Sequence, residues 1–173
     1  SRILILNIGE GDSFMTTFTE IKASAEDVRH PESQQLIEQL SKELAELYEV
    51  SDGSAGFMFE DVEVPRAAFV VARIEGQPVG CGAIRPLSEH SVEVKRMYTA
   101  PGFRNKGVAK AILAELERLA IQFGYTEIKL QTGPRQPEAI ALYERVGYYR
   151  IPIFSGDWED ISAFQKDLPK HFG

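Results

Sequence analysis

The sequence predicts an α+β fold in which helices flank one mixed, largely antiparallel sheet. Strand-like runs are grouped before the long crossover helix, and grouped strands favour antiparallel pairing. A strand–helix–strand unit over residues 91–131 instead predicts a parallel pair at the centre of the sheet. The length of 173 residues suits one domain. We place this domain at residues 15–173, with residues 1–14 as an N-terminal extension or leader.

The individual elements follow from hydrophobic periodicity and from turn residues. Strands are predicted over residues 18–23, 67–74, 79–85, 91–98, 127–131, 148–154 and 162–167. Helices are predicted over residues 33–49, 106–123 and 137–146. Ser33 is a candidate cap for the first helix, whose buried face is a row of leucines: Leu36, Leu40, Leu44 and Leu47. Gly124 and Gly147 follow the other two helices, and Pro137 begins the last one, as is typical of helix ends.

The composition is that of an ordinary globular protein and argues against several function classes. Hydrophobic residues make up 43% and charged residues 26% of the chain. No apolar run reaches the ~20 residues of a membrane span, and a net charge of −7 argues against nucleic acid as the main partner. The three histidines are scattered, so no metal site is predicted. Cys81 is the only cysteine and forms no internal disulfide, in keeping with a cytoplasmic protein.

The junction between the fourth predicted strand, residues 91–98, and the long helix is a candidate anion site. Residues 104–109 follow the strand and read Arg-Asn-Lys-Gly-Val-Ala. The first amides of a helix lack internal acceptors and carry the positive end of its dipole. Gly107 and Ala109 lack bulk, so a phosphate can approach the backbone, and Arg104 and Lys106 add positive charge. The P-loop and dinucleotide glycine patterns are absent. By itself, this pattern fits a plain helix start equally well.

Two motifs together resemble the acyl-CoA signature of the GNAT superfamily of N-acetyltransferases. The first is Arg-x-x-Gly-x-Ala over residues 104–109, after a strand. The second is the segment 136–148, in which a helix carrying Tyr143 ends and Val-Gly-Tyr follows. The resemblance extends over most of the chain from about Met15. It implies the GNAT fold and an acetyltransferase that uses acetyl-CoA as co-substrate and no metal.

The resemblance also implies which residues bind the cofactor. The CoA pyrophosphate is expected on the backbone amides of Arg104, Asn105, Lys106, Gly107, Val108 and Ala109. The pantetheine arm is expected along Met97, Tyr98 and Thr99, where a bulge separates two parallel strands. Gln136 stands where many members carry an asparagine that faces the CoA arm, and Tyr143 lies close to the thioester.

The reaction requires a base, an oxyanion donor and an acid, and the resemblance implies a residue for each. Glu93 matches the place of the general base in several members; the alternative is a solvated strand carboxylate paired with Lys95 or Arg96. Strand alternation places Glu93 on the same face as Lys95 and Met97, unless a bulge intervenes. The Met97 amide is the implied oxyanion donor. Tyr143 is the implied general acid; the alternative is a packed helix aromatic.

The acceptor and the mode of action are less defined by sequence. The acceptor pocket of the family corresponds to two segments of this chain. They are residues 51–64, which the composition predicts to be a mobile acidic loop, and residues 155–160. The carboxylates Glu60, Asp61 and Glu63 could attract an amine, with Phe57, Phe59 and Trp158 as walls; an ordinary solvated loop is the alternative. We predict direct attack by a primary amine in a ternary complex. A non-catalytic acyl-CoA sensor and a protein-acetylating enzyme are the alternatives, and a homodimer is possible.

Overall fold

One eight-stranded sheet runs through the protein in a computed structural model, which describes residues 2–6, 17–156 and 160–170. The strands are β1 (Arg2–Leu6), β2 (Thr17–Ala25), β3 (Ala68–Ile74), β4 (Gln77–Pro86), β5 (Ser91–Thr99), β6 (Glu127–Thr132), β7 (Tyr149–Ile151) and β8 (Ser162–Asp167). Their order across the sheet is β1-β2-β3-β4-β5-β6-β8-β7. Only β5 and β6 are parallel neighbours, and the other pairs are antiparallel. The predicted α+β class and central parallel pair are confirmed.

Three α-helices cover the two faces of the sheet. They are α1 (Pro31–Tyr48), α2 (Val108–Gln122) and α3 (Pro137–Arg145), and a short 3₁₀ helix spans Phe59–Val62. Leucines of α1 pack on one face, with Phe69 and Val71. The apolar side of α2 packs on the other face, with Ile112 and Leu116 fully buried. Among the described residues, no helix is long and apolar enough to cross a membrane.

Helix α1 begins two residues before the predicted cap. His30 is its N-cap, with Nδ1 accepting a hydrogen bond from the Glu32 amide at 3.2 Å. Pro31 then occupies the first turn, where its fixed φ suits the helix and its missing amide costs no hydrogen bond. Ser33 therefore lies inside the helix, buried, and its hydroxyl donates to the Asp27 carbonyl at 2.8 Å. The predicted Ser33 cap is wrong because the proline fixes an earlier start.

The start of α2 and the extent of β7 also differ from the predicted ones, for reasons that lie in the sequence. Helix α2 begins at Val108 because Gly107 adopts a left-handed conformation, with φ at 87°. Strand β7 covers only Tyr149–Ile151 of the predicted 148–154. The next residue, Pro152, has no amide hydrogen to donate to a neighbouring strand, so pairing stops there.

The N-terminal segment contributes a strand at the edge of the sheet. β1 pairs antiparallel with β2, with Arg2 opposite Ile21 and Leu6 opposite Thr17. Ser1 and residues 7–16, which include Met15, lie outside the described residues. The leader over residues 1–14 stays a prediction.

Strands β5 and β6 pair only at their beginnings and then separate. Their parallel register covers Ser91, Val92 and Glu93, opposite Glu127, Ile128 and Lys129. Beyond this point β6 continues to pair with β8, and β5 with β4. A bulge in β5 accompanies the separation. Lys95 pairs with Ala83 and Tyr98 with Cys81, so an interval of three residues in β5 lies opposite an interval of two in β4. The extra residue is Arg96, with φ at 57°.

Candidate active site

The gap between β5 and β6 opens into a cleft of about 190 Å³. Its walls come from the two strands, from α1, from α3 and from the loop before the 3₁₀ helix. The lining residues are Leu40, Leu44, Ala55, Gly56, Phe57, Val94, Lys95, Arg96, Met97, Leu130, Gln131, Thr132, Gln136, Ala139 and Tyr143. Because the cleft passes through the sheet between two diverging strands, a ligand on the α2 side can meet a ligand on the α1 side.

The bulge at Arg96 decides which side chains face which side. Glu93 and Lys95 lie opposite Arg85 and Ala83 of β4, on the α1 face. After the extra residue the alternation is reversed, so Met97 packs with the α2 core and Tyr98 with the α1 core. Glu93 and Met97 therefore lie on opposite faces of the sheet, whereas regular alternation would place them on the same face. Gly82 allows this packing, since a Cβ there would lie 2.7 Å from the Met97 sulfur.

The start of α2 presents free backbone amides. The first helical hydrogen bond runs from the Ala111 amide to the Gly107 carbonyl, so the amides of Val108, Ala109 and Lys110 have no intrahelical acceptor. The helix has no side-chain cap. Asn105 and Gly107 both have positive φ, a conformation that turns successive amides toward one concavity and suits an anion.

The side chains around this turn leave the amides accessible. The Arg104 guanidinium donates to the Thr99 carbonyl at 3.0 Å and pairs with Glu43 of α1 at 2.6 Å. It thereby ties the turn to the end of β5. Lys106 lies over the Phe103 ring, with its ammonium 5.8 Å from the ring centre. The predicted segment 104–109 and the predicted strand residues Met97, Tyr98 and Thr99 are thus joined by a direct contact.

Tyr143 of α3 lines the cleft and is 5% exposed. Its ring lies 5.8 Å from that of Tyr148 and 6.1 Å from that of Phe164, centre to centre. Burial raises the pKa of its hydroxyl to about 12. The phenol therefore keeps its proton at neutral pH while its ring is held in place, as a proton donor requires.

Gln136 lies at the N-terminus of α3, where its side chain joins three elements. Its carbonyl oxygen accepts hydrogen bonds from the Tyr48 hydroxyl at 3.0 Å, the Thr132 hydroxyl at 3.3 Å and the Gly133 amide at 3.3 Å. This oxygen holds the end of α1 against the loop between β6 and α3. The amide nitrogen of the side chain is the part left for a ligand.

Glu93 is buried behind the cleft and does not line it. The side chain is 1% exposed, and its Oε1 accepts from the Arg85 Nε at 3.0 Å. Its Oε2 lies 3.8 Å from the Lys95 ammonium and has no hydrogen-bond partner among the described residues. The alternative of a solvated carboxylate paired with Lys95 or Arg96 holds only for the Lys95 pair, because Glu93 is buried and Arg85 is its hydrogen-bonded partner. Contact between this oxygen and a ligand requires a bridging molecule.

Two arginines that the sequence analysis missed hold the loop of residues 51–64, which we term the clamp loop. Arg85 donates to the Gly56 carbonyl at 3.0 Å and pairs with Asp61 at 2.7 Å. Arg96 donates to the carbonyls of Gly53 and Ala55 at 3.0 and 3.3 Å. The loop is therefore fixed to the strands by cations that reach its backbone. No local pattern marks these arginines, because their partners lie 24 to 43 residues away.

Glu60, Asp61 and Glu63 of the clamp loop do not line the cleft. Glu60 and Glu63 pair with Arg29, at 3.3 and 2.8 Å, and Asp61 pairs with Arg85. Phe57 does line the cleft, beneath the Arg96 guanidinium at 5.7 Å. Trp158 lies outside the described residues. In the described part of the chain, no group of three or more His, Cys, Asp or Glu residues is arranged to hold a metal ion.

Comparison with known proteins identifies the family of this site. Residues 33–148 match the model of the acetyltransferase (GNAT) family. The chain belongs to the GNAT acetyltransferase family. Among its relatives, the uncharacterized N-acetyltransferase YjgM of Escherichia coli is 35% identical over 63% of this chain and 67% of its own length. The IAA acetyltransferase of Azospirillum brasilense is 36% identical over 66% of this chain and 74% of its own length.

The fold agrees with that of solved GNAT structures. A GNAT family acetyltransferase from Staphylococcus aureus superposes with a TM-score of 0.74, over 87% of this chain and all of the other, at 18% identity. The predicted family, the predicted fold and the predicted class of enzyme, an N-acetyltransferase, are confirmed. The roles of individual residues, a homodimer and a cytoplasmic location stay predictions.

Proposed function

We propose that this GNAT protein transfers the acetyl group of acetyl-CoA to a primary amine by direct attack in a ternary complex. The observation that carries the proposal is the cleft between β5 and β6. It brings a buried, protonated Tyr143 and the bulged strand around Met97 into one space. On the face of the sheet that carries α2, that space is lined by α3, and on the other face by α1 and the clamp loop. A thioester and an amine can therefore meet there from opposite faces.

Acetyl-CoA is the co-substrate, in keeping with the family. Its pyrophosphate lies on the amides of residues 104–109, where the dipole of α2 and two positive-φ residues favour an anion. Its pantetheine arm follows Met97–Thr99, since β5 has no strand partner on that side beyond Glu93. The amide nitrogen of Gln136 can bind the arm from the opposite wall.

The chemistry at the thioester requires one donor for the oxyanion and one for the sulfur. The amine nitrogen attacks the thioester carbon, and the carbonyl oxygen takes up negative charge, which the Met97 amide stabilises. The carbon–sulfur bond then breaks, and Tyr143 donates its proton to the departing thiolate. The products are the N-acetylated amine and CoA thiol. The proton that the amine loses restores Tyr143 through solvent.

The amine must also arrive without its extra proton. An alkyl ammonium has a pKa of about 10.4, so releasing its proton at neutral pH costs roughly 4 kcal/mol. Glu93 accepts this proton through a water molecule, which also satisfies the buried Oε2 that lacks a partner. The Arg96 guanidinium, which lines the cleft, disfavours a bound ammonium and so lowers the pKa of the amine.

Thermal unfolding with and without acetyl-CoA tests the cofactor first. Ligand at about 100 times its dissociation constant adds about 2.7 kcal/mol. For a chain of this size we expect the midpoint to rise by about 5–10 °C. Release of CoA thiol is then followed across a panel of amines. Absence of a shift at millimolar acetyl-CoA contradicts the proposal. A shift without turnover of any amine indicates the sensor instead.

A further inference from the structure

We propose that the acceptor carries a carboxylate next to its amine, as an amino acid does, and that the Lys95 ammonium binds this carboxylate. This inference rests on the proposed acetyl transfer and names its substrate class. It reverses the expectation that acidic loop residues attract a cationic amine. Lys95 would then be a specificity-determining residue at the α1 side of the cleft.

The charged residues of the cleft support an anionic ligand. Among the described residues that line it, Lys95 and Arg96 are the charged ones, and neither is an acid. The groups that act electrostatically on Lys95 are Arg85, Arg96, Glu93 and Asp61. With Lys95 itself, three cations face two carboxylates, an excess of one positive charge. This local excess stands against the net charge of −7 for the whole chain.

Lys95 is the cation of this group that still has donors to offer. Arg85 is occupied by Glu93, Asp61 and the Gly56 carbonyl. Arg96 is occupied by carbonyls of the clamp loop and by the Phe57 ring. Within the described residues, the ion-pair partner of the Lys95 ammonium is Glu93 Oε2, at 3.8 Å, which is longer than a hydrogen bond.

The surroundings of Lys95 disfavour an unpaired charge there. Its side chain is 28% exposed, and burial, followed by the positive charges of Arg85 and Arg96, lowers its pKa against the opposing effect of Glu93. A carboxylate in the cleft would supply the hydrogen bonds that the ammonium lacks and would offset this effect of burial. A cationic acceptor would have the opposite effect.

Glu93 does not oppose the proposed anion. It lies behind Lys95, buried, and its Oε1 is bonded to Arg85. The carboxylates Glu60 and Glu63 are paired with Arg29 and do not line the cleft. The acceptor would therefore place its carboxylate against Lys95 and its amine toward the thioester, between Lys95 and Tyr143.

The test compares acceptors that differ only in the carboxylate. Each amino acid of a panel is paired with its carboxamide, and CoA release is measured with saturating acetyl-CoA. For the wild-type protein we expect kcat/KM to be at least 10-fold higher for the best amino acid than for its carboxamide. In Lys95→Gln the value for the amino acid falls 10-fold or more, while the value for the carboxamide stays within about twofold. Lys95→Arg restores part of the preference.

Lys129→Gln is the matched control. Lys129 lies on the same face of the neighbouring strand with similar exposure, 24%, but is paired with Glu127 and does not line the cleft. We expect Lys129→Gln to have the same kcat/KM as the wild type for both acceptors. Equal use of the two acceptors by the wild type, or an equal loss for both in Lys95→Gln, overturns the inference. The inference is also overturned if the protein binds acetyl-CoA but turns over no acceptor that carries a carboxylate. The proposed function itself is overturned by a missing thermal shift with acetyl-CoA, or by a shift without turnover of any amine.

Discussion

The cleft has two proposed ends, one for the cofactor and one for the acceptor, and they are built in different ways. The cofactor end consists of backbone: amides at the start of α2 and the free edge of β5, all within residues 97–109. The acceptor end consists of side chains that meet from distant parts of the chain, with Arg85 and Arg96 reaching the clamp loop. A ligand recognised by backbone leaves a short sequence signature. A ligand recognised by paired charges leaves no such signature, because the role of each charged residue depends on a partner that is distant in the sequence.

The difference also decides which property a substitution changes at each end of the cleft. At the cofactor end, the conformation of one residue sets the direction of several amides, so strain there should affect CoA binding. At the acceptor end, a buried carboxylate is balanced by cations, so removal of one cation leaves an unpaired charge. Substitutions should therefore change affinity at one end and stability or specificity at the other.

The largest change in stability is expected for Arg85→Met. This substitution removes the hydrogen-bonded partner of Glu93, which is 1% exposed, together with the anchor of Asp61. An uncompensated buried carboxylate is strongly destabilising, and we expect the free energy of unfolding to fall by about 3 kcal/mol. Urea denaturation measures it as a lower midpoint with an unchanged slope.

Two further variants separate the buried charge from the arginine itself. Arg85→Met combined with Glu93→Gln should recover more than half of the loss, since the unpaired charge is gone. Arg118→Met removes an arginine paired with Glu115 on the surface, where the side chain is 60% exposed, and should cost far less. A double variant no more stable than Arg85→Met shows that the charge balance is not what holds this end together.

The largest change in turnover is expected for Tyr143→Phe. The phenylalanine keeps the ring between Tyr148 and Phe164 but removes the proton donor. Loss of one acid typically costs about 10²-fold, so kcat should fall by that order while the dissociation constant of acetyl-CoA changes little. CoA release and ligand-dependent unfolding measure the two quantities. Tyr149→Phe, on an exposed tyrosine bonded to Asp167, is the control. Unchanged turnover in Tyr143→Phe removes this residue from the mechanism.

A smaller, selective effect is expected for Gly107→Val at the cofactor end. The φ of 87° favours glycine, and a β-branched residue there would shift the amides that precede α2. We expect acetyl-CoA affinity to fall about 10-fold, which is about 1.4 kcal/mol, as measured by titration. Gly76→Val is the matched control, since Gly76 has φ at 82°, lies in the β3–β4 turn and has open space around it. Equal loss of affinity in both variants indicates general destabilisation instead.

The same contrast explains how much the sequence could predict. The parallel pair, the α2 junction and Tyr143 were predictable because their signals are local periodicities and short motifs. The resemblance implied a bulge near Met97, but no sequence signal marks Arg96 as the extra residue, because a non-glycine residue with positive φ inside a strand has no local pattern. The pairing of Glu63 with Arg29 spans 34 residues. Sequence therefore indicated an acidic loop, whereas tertiary contacts neutralise it and leave Lys95 at the cleft.

The smallest effect on activity is expected for Cys81→Ser, although Cys81 lies at the acceptor face. Its side chain is fully buried in the α1 core, and its Sγ lies 3.4 Å from the Arg96 carbonyl, to which it donates. A serine hydroxyl can donate to the same oxygen, so we expect turnover within about twofold of the wild type. Total loss of turnover in a folded variant contradicts direct attack by the amine.

This variant also tests the burial of the thiol through pH. Burial raises the pKa of Cys81 from 9.0 to about 12, so above pH 9 the unfolded chain releases a proton that the folded chain retains. The wild-type free energy of unfolding should then fall as pH rises from 9 toward 12, because the folded state binds more protons. Serine does not ionise in this range, so Cys81→Ser should show a shallower fall between pH 9 and 10, before tyrosines contribute. Identical profiles mean that the thiol titrates normally and that this face of the sheet admits water.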